Sequence, residues 1–142
     1  MGLEEQLFAL WRVPPAEHGG AEAAFRRVYA DPVLINGVPM PVAGLVARAR
    51  ALHAAFTDHD IEIVELVRAP GKLTVAFRHR AKHTGAWSTP LGEPPATGRV
   101  VDGLGIDILT VGPDGRVTAI WVLADELQRI LQVRETPDVL GR

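Results

Sequence analysis

Apolar residues recur every three or four positions in the first half of the chain, which is the spacing of an amphipathic helix. Segments with this spacing cover residues 3–11, 21–30 and 42–56. Pro14 follows the first segment and Asp31-Pro32 follows the second, so both helices are expected to end there. A short apolar run at residues 33–36 lies between the second and third helices and predicts a strand.

The second half of the chain alternates apolar with polar residues, the period of a strand. The alternating segments are residues 61–69, 72–83, 99–111 and 116–124. Glycine-containing turns join the first two and the last two, so we predict two β-hairpins, separated by a loop at about residues 84–98. Gly103 and Gly105 lie inside the third segment and predict a bulge or sharp bend. A short final helix is expected at residues 125–133.

Helices followed by consecutive antiparallel strands predict an α+β fold, in which the helices pack on one side of the sheet. The 142 residues fit a single domain spanning residues 1–142. A strongly curved sheet with helices closing one side forms a cone around an internal pocket. We therefore expect a cone-shaped curved antiparallel sheet.

Composition and charge exclude several classes of function. The chain contains no cysteine, which removes disulfides, thiolate metal sites and a cysteine nucleophile. A net charge of −2 provides no basic field for nucleic acid, and no apolar run is long enough to cross a membrane. Acidic residues near the N-terminus replace the bases of a signal peptide, so a cytoplasmic location is expected.

Neither a metal nor an organic cofactor is expected. His79 and His83 share a strand face but lie about 13 Å apart along it, too far to bind one ion together. The Gly-Leu-Gly sequence at residues 103–105 lacks the third glycine and the helix of a dinucleotide-binding turn.

Three polar residues are candidates for acid/base chemistry. His79 shares a face with Leu73, Val75 and Phe77, where a histidine is more often a hydrogen-bonded core residue than a catalyst. Asp107 lies in an apolar strand, and it faces solvent by default or a pocket as the alternative. Asp125 precedes the final helix with Gln128 three residues on, the pattern of an N-cap.

An ordered series of segments resembles the SnoaL-like polyketide cyclases of the nuclear transport factor 2-like superfamily. The series is YADPVLING, a helix ending in AFTDHDIEI, HTGAW, the turn PPATGR and GIDILTVGPDGRVTAIW, and the likeness covers about residues 20–133. The resemblance implies a cone-shaped α+β barrel, a homodimer and an apolar small-molecule substrate. It also implies ring closure by intramolecular aldol condensation without a cofactor.

The resemblance carries specific roles onto this chain. The cyclases place a catalytic Asp shortly after the final strand and a few residues beyond a Trp, which matches Asp125 and Trp121. Asp107 matches a proton-donating Asp of the related ketosteroid isomerases, whereas Asn36 stands where their base would be, which disfavours that activity. Ile120 replaces a histidine that the cyclases often have before the Trp.

We therefore predict a cofactor-independent cyclase in which Asp125 removes a proton and Asp107 or His79 stabilises the oxyanion. The expected substrate-binding residues are Phe77, His83, Trp87, Trp121 and Tyr29. The aromatic members of this set also fit a purely structural core. The alternatives are an epoxide-opening cyclase or hydrolase, and a non-catalytic ligand-binding or dimerisation module in which Asp125 is only a cap.

Overall fold

Six strands form one curved sheet, and the N-terminal helices pack against its inner face. The computed structural model describes residues 1–134. The helices are α1 (Leu3–Arg12), α2 (Ala21–Arg26), α3 (Val42–Ala55) and α4 (Glu126–Leu131). The strands are β1 (Tyr29–Ile35), β2 (Val38–Met40), β3 (Phe56–Ala69), β4 (Lys72–His83), β5 (Val100–Val111) and β6 (Val117–Ala124). The α+β class and the curved sheet are confirmed.

The strand order is β2-β1-β6-β5-β4-β3, and both predicted hairpins, β3 with β4 and β5 with β6, are present. The expectation of a wholly antiparallel sheet is wrong at one place, because β1 runs parallel to β6. Parallel neighbours need a long connection, and everything from β2 to β5 lies between these two strands in the chain.

Two strands begin earlier than the apolar pattern predicts. The second helix was expected to reach Ala30, but Tyr29 already pairs with Val117 of β6. The end of this segment leaves the helix predicted by its spacing, because its backbone pairs with β6 instead. Similarly, β3 begins at Phe56, which pairs with His83, rather than at Ile61. The edge strand β2 was not predicted at all.

A bulge in β3 changes which side chains face the core. Ile63 pairs with Phe77 and Glu65 with Ala76, so Val64 is an extra residue on this strand. After the bulge Leu66 packs against the core, while Val64 and Val67 are each 57% exposed. The strict alternation expected over residues 61–69 is therefore wrong beyond Val64, because an inserted residue reverses the faces.

The main core lies between helices α1 to α3 and the inner face of the sheet. Its buried members include Leu7, Phe8, Phe25, Tyr29, Val33, Leu45, Val75 and Leu109. A second, smaller cluster lies at the other end of the inner face and contains Ala55, Phe56, Ala81, Val101 and Val133. No helix within residues 1–134 has the length and apolar character needed to cross a bilayer.

Candidate active site on the inner face of the sheet

The inner face of β4 and β5 carries the polar groups that lie between the two core clusters. Alternate residues of β4 point inward, among them Val75, Phe77 and His79, as the sequence predicts. Their partners on β5 are Asp107, Gly105 and Gly103, respectively. Because all of these residues share one face, His79 and Asp107 lie on the same side of the sheet, four residues apart in register.

The two glycines of β5 provide space instead of a bulge. A bulge or a sharp bend was expected at Gly103 and Gly105, and the pairing of β4 with β5 runs through both without a register shift, so no bulge lies there. A Cβ on Gly105 would lie 2.5 Å from Cζ of Phe77, and a Cβ on Gly103 would lie 2.5 Å from Cδ of Arg129. Each glycine therefore accommodates a side chain that crosses the inner face.

Asp107 faces inward and is only 7% exposed. The expectation that it faces solvent is wrong, and the alternative, an inward orientation, is what the structure shows. Its Oδ1 is buried and has no hydrogen-bond partner within residues 1–134. Burial disfavours the charged form and raises the pKa of the carboxyl from 3.8 to about 7. Asp107 is thus poised to exchange a proton near neutral pH.

Solvent reaches the inner face beside Asp107. Val122 of β6 pairs with Asp107 and points to the same side, and it is 36% exposed. Asn36 follows β1, and its side chain accepts from the Val122 N–H at 2.8 Å and donates to the Val122 carbonyl at 3.2 Å. Asn36 therefore holds the end of β6 in place.

Tyr29 is a core residue. It is 2% exposed, and its hydroxyl accepts a hydrogen bond of 2.9 Å from Nε1 of Trp11. Burial raises the pKa of the phenol, and the charge of Asp107 adds to the rise. Tyr29 thus lies close enough to Asp107 to interact electrostatically, while its own proton stays in place.

His79 is 9% exposed on the inner face. Its pKa falls from 6.5 to about 3 because burial disfavours the charged ring, and Arg129, His59 and His53 add smaller repulsive effects. His79 is accordingly neutral at physiological pH. A neutral imidazole has one nitrogen that donates and one that accepts.

Two further histidines extend the site. Nε2 of His79 lies 2.9 Å from Nδ1 of His59, and Nε2 of His59 lies 3.0 Å from the Phe56 carbonyl oxygen. The His53 and His59 ring centroids are 4.2 Å apart, and Nε2 of His53 lies 2.8 Å from the Trp11 carbonyl oxygen. These three rings form a chain of contacts from α3 to β4.

The sequence analysis missed both His53 and His59. His53 follows Leu45 and Ala49 at intervals of four residues, so the helical spacing already places it on the buried face of α3. No comparable signal exists for His59, because the β3 pairing shifts register between Thr57 and Asp60.

The side chain of Arg129 in α4 reaches the inner face of the sheet at Gly103. Its side chain is 12% exposed, and the guanidinium carbon lies 5.7 Å from the Phe56 ring centroid and 5.6 Å from that of Trp87. Its Nε is buried without a partner within the part of the chain described. Neighbouring Gln132 anchors α4 to the edge of β5, since its side-chain amide bonds both the N–H and the carbonyl of Asp102.

His83 and Trp87 complete this end of the inner face. His83 is fully buried, and its Nδ1 lies 3.0 Å from Oγ1 of Thr97. Its ring packs against Phe56 and Trp87, with centroid distances of 5.4 and 6.1 Å. Nε2 of His83 has no partner within residues 1–134. These two predicted substrate-binding residues, buried His83 and half-buried Trp87, therefore lie together near Arg129 and away from Asp107.

Asp125 is the N-cap of α4, as the sequence predicts. Its Oδ1 accepts a hydrogen bond of 3.3 Å from the Gln128 N–H, and the side chain is exposed. It borders an open groove of about 320 Å³, whose lining residues are Arg78, Asp102, Gly103, Leu104, Asp125, Gln128 and Gln132. Arg78, Asp102 and Leu104 alternate with the inner-face residues, so this groove opens on the outer side of the sheet. The structure does not bring Asp125 together with Asp107 and His79.

Trp121 also lies on the outer side of the sheet, where it is 59% exposed. The expectation that it lines the internal pocket is wrong, because the inward positions of β6 are Ile120 and Val122, which pair with Leu109 and Asp107. Phe77, by contrast, is half-buried on the inner face between Asp107 and His79.

The inner face thus holds a carboxyl that titrates near neutrality, a neutral histidine pair and a buried guanidinium. Such a set can move a proton and stabilise negative charge. Residues 1–134 contain no group of three side chains positioned to bind a metal ion.

Comparisons with known proteins agree with this architecture. The family model for the SnoaL-like polyketide cyclase matches residues 11–133. TsrD from Streptomyces laurentii is similar in structure, with a TM-score of 0.74 and 19% identity, over 92% of this chain and 91% of that one. A SnoaL-like polyketide cyclase from Agrobacterium tumefaciens str. C58 has a TM-score of 0.70 and 16% identity, over 94% of this chain and 99% of that one. No curated protein matches the sequence.

Proposed function

The chain belongs to the SnoaL-like polyketide cyclase family, and we propose that it closes a ring of a polyketide-like carbonyl compound by cofactor-independent acid/base catalysis. The observation that carries this proposal is the buried Asp107 carboxyl, whose pKa is raised to about 7. A group with a pKa near the working pH is an efficient proton carrier in both directions. The apolar surroundings of Asp107 suit a substrate that is itself largely apolar.

The proposed reaction begins when the Asp107 carboxylate removes a proton from the carbon beside a carbonyl. The enolate carbon then attacks a second carbonyl of the same molecule, which forms the carbon–carbon bond and leaves an alkoxide. The alkoxide takes the proton back from Asp107, so the carboxylate is regenerated and no external oxidant or reductant is needed.

We assign proton transfer to Asp107 rather than to Asp125. Asp107 lies on the inner face next to the exposed Val122, whereas Asp125 is occupied as a helix cap beside the outer groove. His79, with its neutral ring, has an imidazole nitrogen that can accept a hydrogen bond from a substrate hydroxyl.

Proton abstraction can be tested without the natural substrate. 2-Tetralone is a two-ring ketone with acidic protons beside its carbonyl, and their exchange in D₂O is followed by proton NMR. The wild-type protein should accelerate this exchange, the Asp107→Asn variant should lose about 100-fold or more of the acceleration, and Asp125→Asn should retain it. No acceleration by the wild type, or full acceleration by Asp107→Asn, overturns the proposal and favours a binding module.

We also propose that the protein is a homodimer that forms through the outer face of the sheet. This proposal is supported by large apolar side chains that lie exposed on β5 and β6, namely Leu104, Ile106, Ile108, Trp121 and Leu123. Ile108 pairs with Trp121 and Ile106 with Leu123, so these side chains form one continuous patch. Apolar patches of this kind mark protein interfaces.

Sedimentation velocity tests the dimer. The wild type should sediment as a dimer at micromolar concentration, and Ile106→Glu should sediment as a monomer because the charge would be buried in the interface. A monomeric wild type, or an Ile106→Glu variant that remains dimeric, contradicts the proposal.

A further inference from the structure

The charge of Arg129 is incompletely balanced. Its hydrogen bonds within residues 1–134 go to one acid, Glu126, at 3.5 Å from Nη1, and that carboxylate is 44% exposed. The Arg129 side chain itself is only 12% exposed, and its Nε is buried without a partner in the described chain. Buried guanidinium groups are normally paired with anions, because the unpaired charge is costly to remove from water.

The guanidinium is held firmly in place. Its aliphatic stem lies against Gly103, where no larger residue would fit. The rings of Phe56 and Trp87 both lie within 6 Å of the guanidinium carbon, at 5.7 and 5.6 Å. Two cation–π contacts fix the position of the group and leave its Nε–H without a partner among the described residues. A donor that is fixed before binding gives up little conformational freedom when a ligand arrives.

Apart from the half-exposed Glu126, the described groups around Arg129 provide no anion to neutralise it. His79 and His59 are the titratable neighbours on the sheet, and burial lowers the pKa of both. His83 packs on the same two aromatic rings, and its buried Nε2 also has no partner among the described residues. No described anion other than Glu126 lies beside the guanidinium, which favours an anionic ligand at its buried Nε–H.

From these contacts we propose that Arg129, clamped by Phe56 and Trp87, is a binding subsite for a carboxylate carried by the substrate. This inference rests on the proposed function, because it places the carboxylate relative to the reacting group. Gly103 and Asp107 are four residues apart on β5, a separation of about 13 Å. A substrate that binds both groups therefore carries its carboxylate and its reacting carbon at opposite ends of the molecule.

Calorimetric binding of two matched ligands tests the subsite. 2-Naphthoate and 2-naphthamide share the same rings and differ in the charge of one group. The wild type should bind 2-naphthoate about tenfold more tightly than 2-naphthamide, because a charge-assisted bond to a buried guanidinium is stronger than a neutral one. Arg129→Gln should reduce this preference to less than twofold.

Arg80→Gln is the matched control, since it removes the same charge from the exposed outer face of β4. It should leave the tenfold preference unchanged. As a measurement that needs no variant, the Arg129 Nε–H resonance of the wild type should shift when 2-naphthoate is added and stay in place with 2-naphthamide. Equal affinities for the two ligands in the wild type, or a preference that survives Arg129→Gln, overturn the subsite.

The Asp107→Asn variant separates this proposal from the proposed reaction. It should keep the preference for 2-naphthoate while it loses exchange of 2-tetralone protons. If the wild type shows no preference for 2-naphthoate, and Asp107→Asn nevertheless loses proton exchange, the proposed function stands and the subsite is overturned. If the wild type prefers 2-naphthoate but does not catalyse exchange of 2-tetralone protons, the subsite stands and the proposed reaction is overturned.

Discussion

Nε2 of His79 lies 2.9 Å from Nδ1 of His59, and this contact decides which nitrogen of each neutral ring carries the proton. The Phe56 carbonyl can only accept, so the His59 Nε2 that lies 3.0 Å from it must carry a proton. Neutral His59 then accepts at Nδ1, and His79 donates from Nε2. The remaining nitrogen of His79, Nδ1, is left as a hydrogen-bond acceptor.

Replacing His59 by Phe should remove the acceptor and leave the His79 N–H buried without a partner. We expect the free energy of unfolding to fall by about 1–3 kcal/mol, measured by urea denaturation at pH 7.5. Histidine ¹⁵N shifts of the wild type should show His79 protonated at Nε2. His18→Phe, at an exposed position, is the control and should leave stability unchanged. A His79 protonated at Nδ1 would contradict the inferred chain of donors.

Asp107→Asn should stabilise the protein at neutral pH. The folded-state pKa of about 7 lies above the unfolded value of 3.8, so the unfolded chain ionises first as the pH rises between these values. Ionisation of Asp107 in the unfolded chain therefore lowers the free energy of unfolding of the wild type as the pH rises from about 4 to 7, by up to about 4 kcal/mol. Asn has nearly the same shape and no charge, so the variant should be more stable than the wild type at pH 7 and equal to it below pH 4.

Stability must be compared between the variant and the wild type at each pH, because His79 has the opposite effect from Asp107 on how the free energy of unfolding changes with pH. Its folded pKa of about 3 lies below the unfolded value of 6.5, so protonation of the unfolded chain lowers stability as the pH falls from 6.5 to 3. Asp60→Asn, an exposed change on β3, should reproduce the wild-type curve. An Asp107→Asn variant less stable than the wild type at pH 7 would show that the carboxylate is solvated or paired.

Asp125→Ala should destabilise the protein by about 0.5–2 kcal/mol, because α4 loses the side chain that caps the Gln128 N–H. Asp125→Asn should retain most of the stability, since asparagine is also a good cap. Thermal unfolding measures both effects, and exchange of 2-tetralone protons should be unchanged in Asp125→Asn. Loss of exchange in that well-folded variant would return the role of base to Asp125.

Gly105→Ala should be destabilising, because its Cβ would lie 2.5 Å from Cζ of Phe77. The expected loss is about 1–3 kcal/mol, the usual cost of overpacking. In a background of Phe77→Leu the smaller side chain leaves room, so the same substitution should cost much less. Urea denaturation of the four proteins in this double-mutant cycle measures the coupling, and additive effects would contradict the contact.

Periodicity predicts the longest elements of this fold well. The spacing of apolar residues places α3 at residues 42–56, and α3 is observed at Val42–Ala55. The two hairpins follow from alternation and turn glycines because these features are local in sequence. Local patterns fail where a distant partner decides the structure, as for Tyr29, which joins β6 instead of continuing a helix.

The candidate site is predicted less completely, for related reasons. The shared face of Phe77 and His79 is correct, because it depends only on the period of one strand. The inward orientation of Asp107 depends on which side of the sheet the helices cover, and sequence alternation cannot decide this. Arg129 reaches the inner face because Gly103 leaves space for it on another strand, a relationship that no spacing within α4 reveals.

We infer that the inner face holds the Asp107 carboxyl partly protonated at neutral pH, ready to exchange a proton with a substrate. A ¹³C NMR titration of the aspartate carboxyl carbons, assigned through the Asp107→Asn variant, measures this property directly. We expect an Asp107 pKa of about 7. A value near the ordinary 3.8 would show a permanently charged, solvated carboxylate, and it would contradict the proposed role of Asp107 in catalysis.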